Sequence, residues 1–347
     1  MNKMVPALAA LVLCCGCIWV RFRLLEQKAE TVSVLRYRLQ TTIARPVKDV
    51  FDLIRAWNTY AVDYARYSEV SSHGLTGVGT YSKGQANLAG RKVKWNEVVV
   101  EFQEDRVVRL VYGGDMRGTL KMEVEPVGEK TRYSFTGHIF FLPDSILSRT
   151  LNAFLEQGIL GDYLDQSVTA FLVKDLARLE NKDPKQMVLD APPTHEVFVD
   201  AYYKAQETLP KSPQQVFRYI NSVSGLQTVL PVDRIEPVGD SPAAFSKLGN
   251  HYRVTATTGL ETPLVYDMVV VQLDPPTEAR YYLYAHNAGL EIDLLVRPAP
   301  GGSKVLMLFI LDLPEAAEGQ DLEVLIQTSH LDKAVQEALT NLKQTWK

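Results

Sequence analysis

Cysteine is nearly absent from this chain of 347 residues, and its few copies lie in one place. The cysteines are Cys14, Cys15 and Cys17, all inside a single apolar run near the N-terminus. Because the rest of the chain has none, a disulfide framework is excluded for the folded body, and a structural zinc site would lack its usual ligands. The six histidines are scattered, with no two at the spacing of metal ligands.

Signature motifs of catalysis are missing as well. The sequence contains no G-x-S-x-G, no H-E-x-x-H, no phosphate-binding P-loop and no dinucleotide-binding glycine fingerprint. We therefore expect no metal and no cofactor, and a binding protein is favoured over an enzyme. The formal net charge of −4 gives no electrostatic reason to bind nucleic acid, so no nucleic-acid partner is expected.

Residues 5–20 form an uncharged apolar run close to the N-terminus. The run is near the lower limit of about 17 residues for a membrane-spanning helix. We expect residues 1–35 to comprise an uncleaved membrane anchor and a polar spacer. Two alternatives stay open, namely a lipoprotein signal with Cys17 as the lipidated residue, and a cleaved secretion signal.

The charges around this run bear on which side of the membrane the body lies. Arg21, Arg23, Lys28 and Arg36 follow the run, whereas Lys3 and the α-amino group precede it. By the positive-inside rule, this excess favours a body on the cytoplasmic face. The lipoprotein alternative would place the body in the periplasm.

The folded body opens with a change of hydrophobic period. Residues 36–43, RYRLQTTI, alternate as a strand does, and the segment ARPVKDVFDLIRAW follows at residues 44–57. Its Pro46 suits the start of a helix, because the fixed φ of proline fits there and its missing N–H would be unpaired anyway. The apolar residues after it recur at helical spacing, at Val47, Val50, Phe51 and Ile54.

The same succession recurs in the second half of the chain, where KSPQQVFRYINSV again places a proline before a helical pattern. When the two halves are aligned, Phe51 corresponds to Phe217 and Tyr112 to Tyr284. Each half continues with alternating runs separated by turn residues and ends in a long apolar helical stripe, at residues 144–180 and about 322–343. We predict an α+β fold of two tandem domains, residues 36–181 and 199–347, joined by a linker at residues 182–198.

This order of elements resembles the START-like superfamily, which includes the polyketide cyclase-type helix-grip proteins (SRPBCC). The resemblance is carried by ARPVKDVFDLI, GVGTYSKG, VKWNEVVVEF and VTAFLVKDLARLE in the first copy, and by KSPQQVFRYI, LVYDMVVVQL, ARYYLYAH and AVQEALTNLKQ in the second. It implies that each domain is a curved antiparallel β-sheet wrapped around a long C-terminal α-helix, with an apolar cavity between them. Members of the superfamily mostly bind lipids, sterols, polyketides or other hydrophobic molecules, and some catalyse cyclisation or hydrolysis.

Strand alternation predicts which side chains line these cavities. The wall of the first cavity is predicted to comprise Asn96, Val100, Tyr112 and Tyr133 from strands, and Phe154 and Phe171 from the helical stripe. The alignment of Tyr112 with Tyr284 places Tyr282, Tyr284 and His286 on the wall of the second cavity, together with Asp267 from the neighbouring strand. Tyrosine suits an amphipathic ligand, because its ring offers apolar area and its hydroxyl can meet a polar group.

One strand of the second domain is apolar on both of its faces. Leu306, Leu308 and Ile310 alternate with residues predicted to face the core, so they would form an apolar stripe on the outer face. Such a stripe usually marks an interface. We expect it to contact the first domain or a partner protein.

Three functions are consistent with these patterns. The first is a membrane-tethered protein that binds or transfers a hydrophobic or amphipathic, lipid-like small molecule. The second is a cyclase or hydrolase-type enzyme in which Asp267 and His286, or tyrosine residues, act as general acid and base. The third is a scaffold whose cavities are filled by its own side chains and whose outer faces bind proteins.

Overall fold

The computed structural model describes residues 30–59, 65–72, 74–88, 91–142, 146–230, 232–256, 263–285 and 288–312, together with a few residues near the C-terminus. It divides into two compact units, which we call the first domain (Val32–Asp200) and the second domain (which includes Ala201–Lys347). The predicted anchor at residues 5–20 and His286 lie outside the described residues, as does nearly all of the helix predicted for residues 322–343. Within the described ranges, no helix is both long and apolar enough to cross a membrane.

The described strands of the first domain form an antiparallel sheet in the order β2-β3-β4-β5-β6-β7-β1. The strands are β1 (Glu30–Ile43), β2 (Ala65–Val70), β3 (Tyr81–Leu88), β4 (Arg91–Gln103), β5 (Val107–Gly114), β6 (Arg117–Val127) and β7 (Lys130–Phe140). The helices are α1 (Val47–Arg55), α2 (Ile146–Glu156) and α3 (Ile159–Glu180), with short 3-10 turns at Trp57–Thr59 and Pro184–Gln186.

The helices of the first domain begin and end where local chemistry requires it. Pro46 directly precedes α1 with φ −59°, and Val50, Phe51 and Ile54 on α1 are buried, as the helical spacing predicted. The long helical stripe is interrupted at Gly158, whose φ of +78° is readily available only to glycine. This break separates α2 from α3, so a short helix precedes the long one.

One face of this sheet packs against the helices, and we call it the inner face. Leu172 and Leu176 of α3 join the same buried cluster as Phe51 of α1 and as Leu120 and Met122 of β6. The long helix therefore lies on the same side of the sheet as α1, as expected for a helix-grip domain.

The described strands of the second domain repeat this strand order, as β9-β10-β11-β12-β13-β14-β8. The strands are β8 (Thr194–Leu209), β9 (Arg234–Pro237), β10 (His251–Ala256), β11 (Leu264–Asp274), β12 (Glu278–Ala285), β13 (Ala288–Ala299) and β14 (Gly302–Asp312), and the helices are α4 (Pro213–Ile220) and α5 (Val223–Val229). Ser212 and Gln215 form a reciprocal capping box at the start of α4. Phe217 on α4 packs against the inner face of this second sheet.

The two domains share a β-bulge that aligns them residue by residue. In the first domain Val99 pairs with Leu110 and Glu101 pairs with Arg109, which leaves Val100 as the extra residue. In the second domain Val270 pairs with Tyr281 and Gln272 pairs with Arg280, which leaves Val271 as the extra residue. Arg109 and Arg280 are thus equivalent, so this hairpin is shifted by one residue from the alignment that matched Tyr112 to Tyr284. Because side chains alternate between faces, a shift of one residue exchanges the inner and outer faces of a strand.

The doubly apolar strand of the second domain is β14. Met307 and Phe309 belong to the buried core cluster, as the alternation predicted. On the opposite face Leu308 and Ile310 are buried and Leu306 is half-buried. The contact proposed for this stripe, with a partner or with the first domain, stays a prediction.

Candidate functional site

The inner face of the first domain is rich in aromatic side chains. Edge-to-face contacts join Tyr37 to Phe135 and Phe51 to Phe102, with ring centroids 5.8 Å apart in each pair. Trp57, from the 3-10 turn after α1, lies 5.9 Å from Phe135. The remaining buried aromatic residues of this cluster include Trp95, Tyr112 and Tyr133. This interior offers large apolar contact area with indole and hydroxyl groups set into it.

A carboxyl group lies within this aromatic surface. Glu97 of β4 alternates with Trp95 and Val99, both of which belong to the inner buried cluster, so Glu97 shares their face. It stands directly opposite Tyr112 of β5 and Ser82 of β3 in the sheet register. The residue is only 2% exposed, although glutamate is almost never fully buried unless it is paired.

Hydrogen-bond donors from three strands surround the Glu97 carboxylate. Its Oε1 accepts from Trp95 Nε1 at 2.9 Å and from the Tyr67 hydroxyl at 3.2 Å, and its Oε2 accepts from the Ser82 hydroxyl at 3.0 Å. The nearby Trp57 indole also favours the charged form and so lowers the pKa of Glu97. The carboxyl group therefore connects β2, β3 and β4.

The small residues of β3 make room for this arrangement. Ser82, Gly84 and Ala86 alternate on the inner face, and Gly84 stands opposite Trp95. A Cβ atom at Gly84 would lie 2.5 Å from Cε2 and 2.7 Å from Nε1 of the Trp95 indole. The indole thus lies directly across Gly84, and this position aims its N–H at Glu97.

Burial and hydrogen bonding shift the pKa of Glu97 in opposite directions. Loss of solvent raises the pKa of the Glu97 carboxyl above its ordinary value of 4.5, and the donated hydrogen bonds only partly offset that effect. No basic side chain contributes to the balance. A buried carboxyl with a raised pKa can donate a hydrogen bond or a proton when neutral and can accept hydrogen bonds when charged, which makes it a candidate functional group.

The second domain has no counterpart to this carboxyl group. Met268 occupies the position equivalent to Glu97, since it stands opposite Leu283 and Tyr252 as Glu97 stands opposite Tyr112 and Ser82. Tyr266 replaces Trp95 by the same register. The interior of the second domain is therefore apolar where that of the first is acidic.

The buried tyrosines of the second domain bond to their own domain. The Tyr252 hydroxyl donates to the backbone oxygens of Pro242 and Ala244 at 2.8 and 3.1 Å, and the Tyr281 hydroxyl donates to Asn221 Oδ1 at 2.8 Å. Burial raises the pKa of Tyr252 to about 12 and raises that of Tyr281 as well. These hydroxyls stay protonated and serve the packing of this core.

The structure shows on which face the residues predicted for the first wall lie. Tyr112 and Tyr133 lie on the inner face, and Phe154 of α2 packs against the same cluster, half-buried. Asn96 was placed on the wrong face, because it alternates with Trp95 and Glu97 and points away from them. Val100 is the extra residue of the bulge and is buried outside the inner cluster. The side chain of Phe171, on α3, lies outside what the structure describes.

The wall predicted for the second domain was wrong wherever the structure describes it. Tyr281 and Leu283 belong to the inner cluster, so Tyr282 and Tyr284 between and beyond them lie on the outer face. Asp267 likewise alternates with the inward Met268 and pairs on the outer face with His251, at 2.9 Å between Oδ1 and Nε2. For the two tyrosines the physical reason is the shift of one residue between the two hairpins, which reverses the faces that the sequence alignment assigns. For Asp267, as for Asn96, the reason is the bulge later in the strand, which reverses the alternation.

Glu97 itself was missed, although the sequence contains a signal for it. In KVKWNEVVVEF, Val93, Trp95, Glu97 and Val99 alternate, which places one charged residue within an apolar series. The later residues Val98, Val100 and Phe102 also alternate, and they support the opposite assignment. The bulge at Val100 reconciles the two series, because it shifts the register between Glu97 and Phe102. As for metals, the described ranges hold no group of three or more His, Cys, Asp or Glu that could bind an ion.

Comparison with known proteins supports the resemblance seen in the sequence. Residues 35–174 match the family described as polyketide cyclase / dehydrase and lipid transport, so the match covers most of the first domain. A search of curated proteins gave no match.

Several solved structures are similar at low identity. The di-domain ARO/CYC StfQ from the steffimycin biosynthetic pathway is 13% identical, with a TM-score of 0.36 over 89% of this chain and 97% of that one. The di-domain ARO/CYC BexL from the BE-7585A pathway is 13% identical, with a TM-score of 0.37 over 90% and 98%. The protein TTHA0849 from Thermus thermophilus is 19% identical, with a TM-score of 0.33 over 41% and 94%.

Proposed function

We propose that this chain, whose first domain belongs to the polyketide cyclase/dehydrase and lipid transport family, binds a hydrophobic or amphipathic small molecule in the interior of that domain. In this proposal the ligand's apolar part packs against the aromatic inner face, and its polar end meets the buried carboxyl group of Glu97. The second domain binds no ligand at the equivalent place and serves to support the fold.

The observation that carries this proposal is the difference between the two interiors. A buried carboxyl without a basic partner costs stability, so a core selected for stability alone favours an apolar residue there. The second domain has that apolar residue in Met268, whereas the first domain retains Glu97 with donors arranged around it. A costly group held in place by its own hydrogen-bond network is typical of a functional position.

The N-terminal segment extends the proposal to a location. If residues 5–20 anchor the chain in a membrane, the first domain is held close to lipid, which shortens the path of a lipid-like ligand. Transfer between the membrane and the protein interior would then be the task of the first domain.

Native mass spectrometry of the full chain, extracted in mild detergent, tests whether a ligand is bound. A co-purified small molecule of defined mass supports binding, whereas a chain that stays empty with every hydrophobic molecule offered supports the scaffold alternative.

Tryptophan fluorescence then locates the ligand. The four tryptophans are Trp19, Trp57, Trp95 and Trp346, of which Trp57 and Trp95 lie in the first interior. The ligand should change the emission of the natural protein. A variant with phenylalanine at positions 57 and 95 should no longer show the ligand-induced change in emission. Calorimetry of the same variant is the control, because it shows whether the ligand still binds.

A second candidate function is acid–base catalysis on the bound molecule. The raised pKa of Glu97 favours it, because a neutral carboxyl in an apolar site can protonate a carbonyl or a departing hydroxyl oxygen. This places the catalytic group in the first domain rather than at Asp267 in the second. Glu97→Gln separates the two functions, since an enzyme would bind the molecule but lose turnover, whereas a carrier would show no turnover in either form.

A further inference from the structure

The interior of the first domain contains a second carboxyl group, Asp175 on α3. Asp175 is three residues after Leu172 and four before Leu179, both of which pack on the inner cluster, so it lies on the side of α3 that faces the sheet. The residue is only 8% exposed. Its Oδ2 is buried and has no hydrogen-bond partner among the described residues.

An unpartnered buried carboxyl oxygen calls for a donor. Loss of solvent raises the pKa of Asp175, and the neighbouring Lys174 and Arg178 oppose that effect only in part, since both are exposed. Neither side chain hydrogen-bonds to Oδ2. A bound molecule with an N–H or O–H group would supply the missing partner.

Several basic side chains of the first sheet lie on its outer face. Lys94 alternates with the inward Trp95, and Arg109 and Lys121 alternate with inward residues of β5 and β6. Neither the Glu97 carboxylate nor the Oδ2 of Asp175 has a basic side chain among its described hydrogen-bond partners.

We propose that the ligand of the first domain has a polar end that donates hydrogen bonds, an amine or a hydroxyl, and that acidic amphiphiles such as fatty acids and phosphate esters are rejected. This inference rests on the proposed function and specifies its ligand. A carboxylate or phosphate in the interior would bring a further negative charge beside the carboxyl oxygens of Glu97 or Asp175. An amine or hydroxyl would donate to these same oxygens.

A matched series of amphiphiles tests the predicted preference for a donating head group, with the full chain as the protein. Dodecylamine, dodecanol, dodecanoate and dodecyl phosphate share one apolar tail and differ in the head group. Binding is measured by calorimetry below the critical micelle concentration of each compound. We expect the amine or the alcohol to bind about tenfold or more tighter than both acids, because bringing like charges together in an interface is unfavourable.

Three variants assign the selectivity to particular residues. Glu97→Gln and Asp175→Asn each remove one carboxyl group and keep the shape of the side chain, so each should reduce the preference over the acids several-fold. Glu123→Gln is the matched control, because Glu123 lies on the outer face of β6 with a half-exposed side chain. Circular dichroism of each variant verifies that it is folded.

The outcomes separate the two levels of the proposal. Tightest binding of the amine supports the inference with charged carboxyl groups, and tightest binding of the alcohol supports it with neutral ones. If an acid binds as tightly as the amine and the alcohol, the inference is overturned while ligand binding stands. The same holds if Glu97→Gln and Asp175→Asn leave a strong preference for the amine or the alcohol unchanged. If no member of the series and no other hydrophobic molecule binds, the proposed function itself is overturned.

Discussion

Replacing Gly84 with alanine tests the packing that holds the Glu97 carboxylate. The added Cβ would stand 2.5 Å from Cε2 and 2.7 Å from Nε1 of Trp95, about 1 Å closer than van der Waals contact allows. Trp95 is only 6% exposed, so its indole has little free space into which to move. We therefore expect the indole to shift and the 2.9 Å hydrogen bond from its Nε1 to Glu97 to break.

The expected cost follows from the two effects together. Overpacking a filled core costs about 1–3 kcal/mol, and losing a hydrogen bond to a charged group costs about 1.5–3 kcal/mol. Reduced freedom of the unfolded chain returns about 0.4–1 kcal/mol when alanine replaces glycine. The free energy of unfolding of the first domain should fall by about 2–4 kcal/mol, and ligand affinity should fall with it.

Urea unfolding followed by tryptophan emission measures this loss, because Trp57 and Trp95 lie in the first domain. Gly137→Ala is the matched control, also in a strand of the first sheet. A Cβ there would meet only Leu120 and Phe135 side chains, at 3.8 and 3.9 Å, which is ordinary contact. The control should be neutral or slightly stabilised. If Gly84→Ala is as stable as Gly137→Ala and leaves binding unchanged, the indole is not held as the structure indicates.

Three further perturbations probe charge and capping. Because burial raises the folded-state pKa of Glu97, the natural protein loses stability as pH rises from about 4.5 through that raised value. Glu97→Gln lacks this loss, so the urea midpoint of the variant should rise relative to that of the natural protein between about pH 4 and pH 8. A difference in midpoint that stays constant with pH would contradict this prediction. Arg280→Met leaves the buried Asp293 without its cation 3.9 Å away, and should lower the free energy of unfolding in urea by about 3–5 kcal/mol. Arg132→Met is the control and should lower it by about 1 kcal/mol, because the ion pair of Arg132 is exposed. Equal losses in the two variants would contradict this prediction. Ser212→Ala removes the capping box of α4 and should cost about 1 kcal/mol in the same assay, and an unchanged midpoint would show that the cap contributes nothing.

Local signals in the sequence located the start of two helices. A proline before a helical pattern marked the start of α1, directly after Pro46, and that of α4, at Pro213. These features depend on backbone chemistry within a few residues, so they can be recognised without tertiary structure. The duplication was visible for the same reason, since both copies repeat the same local order.

The face of each strand could not be predicted as well, because it depends on register across the sheet. Tyr112 aligned with Tyr284 is a plausible match of residue types, yet the bulges align Tyr112 with Leu283 instead. A bulge is an extra residue in one strand, and an alternating pattern on either side of it gives no sign of where it lies. Because the bulge was not recognised, Asp267 was predicted to lie on the inner face and Glu97 was not.

What the two copies share, and where they differ, separates structural roles from functional ones. The bulge occurs at the same place in both, and in both an arginine stands opposite its end: Arg109, 3.5 Å from Glu101, and Arg280 opposite Gln272. A feature kept in two domains with different interiors serves the sheet that they have in common. The Glu97 carboxyl is the reverse case, because its equivalent is Met268 and the fold forms without it. The first domain therefore does not need this carboxyl for its fold, and the proposed ligand binding would account for the cost of burying it.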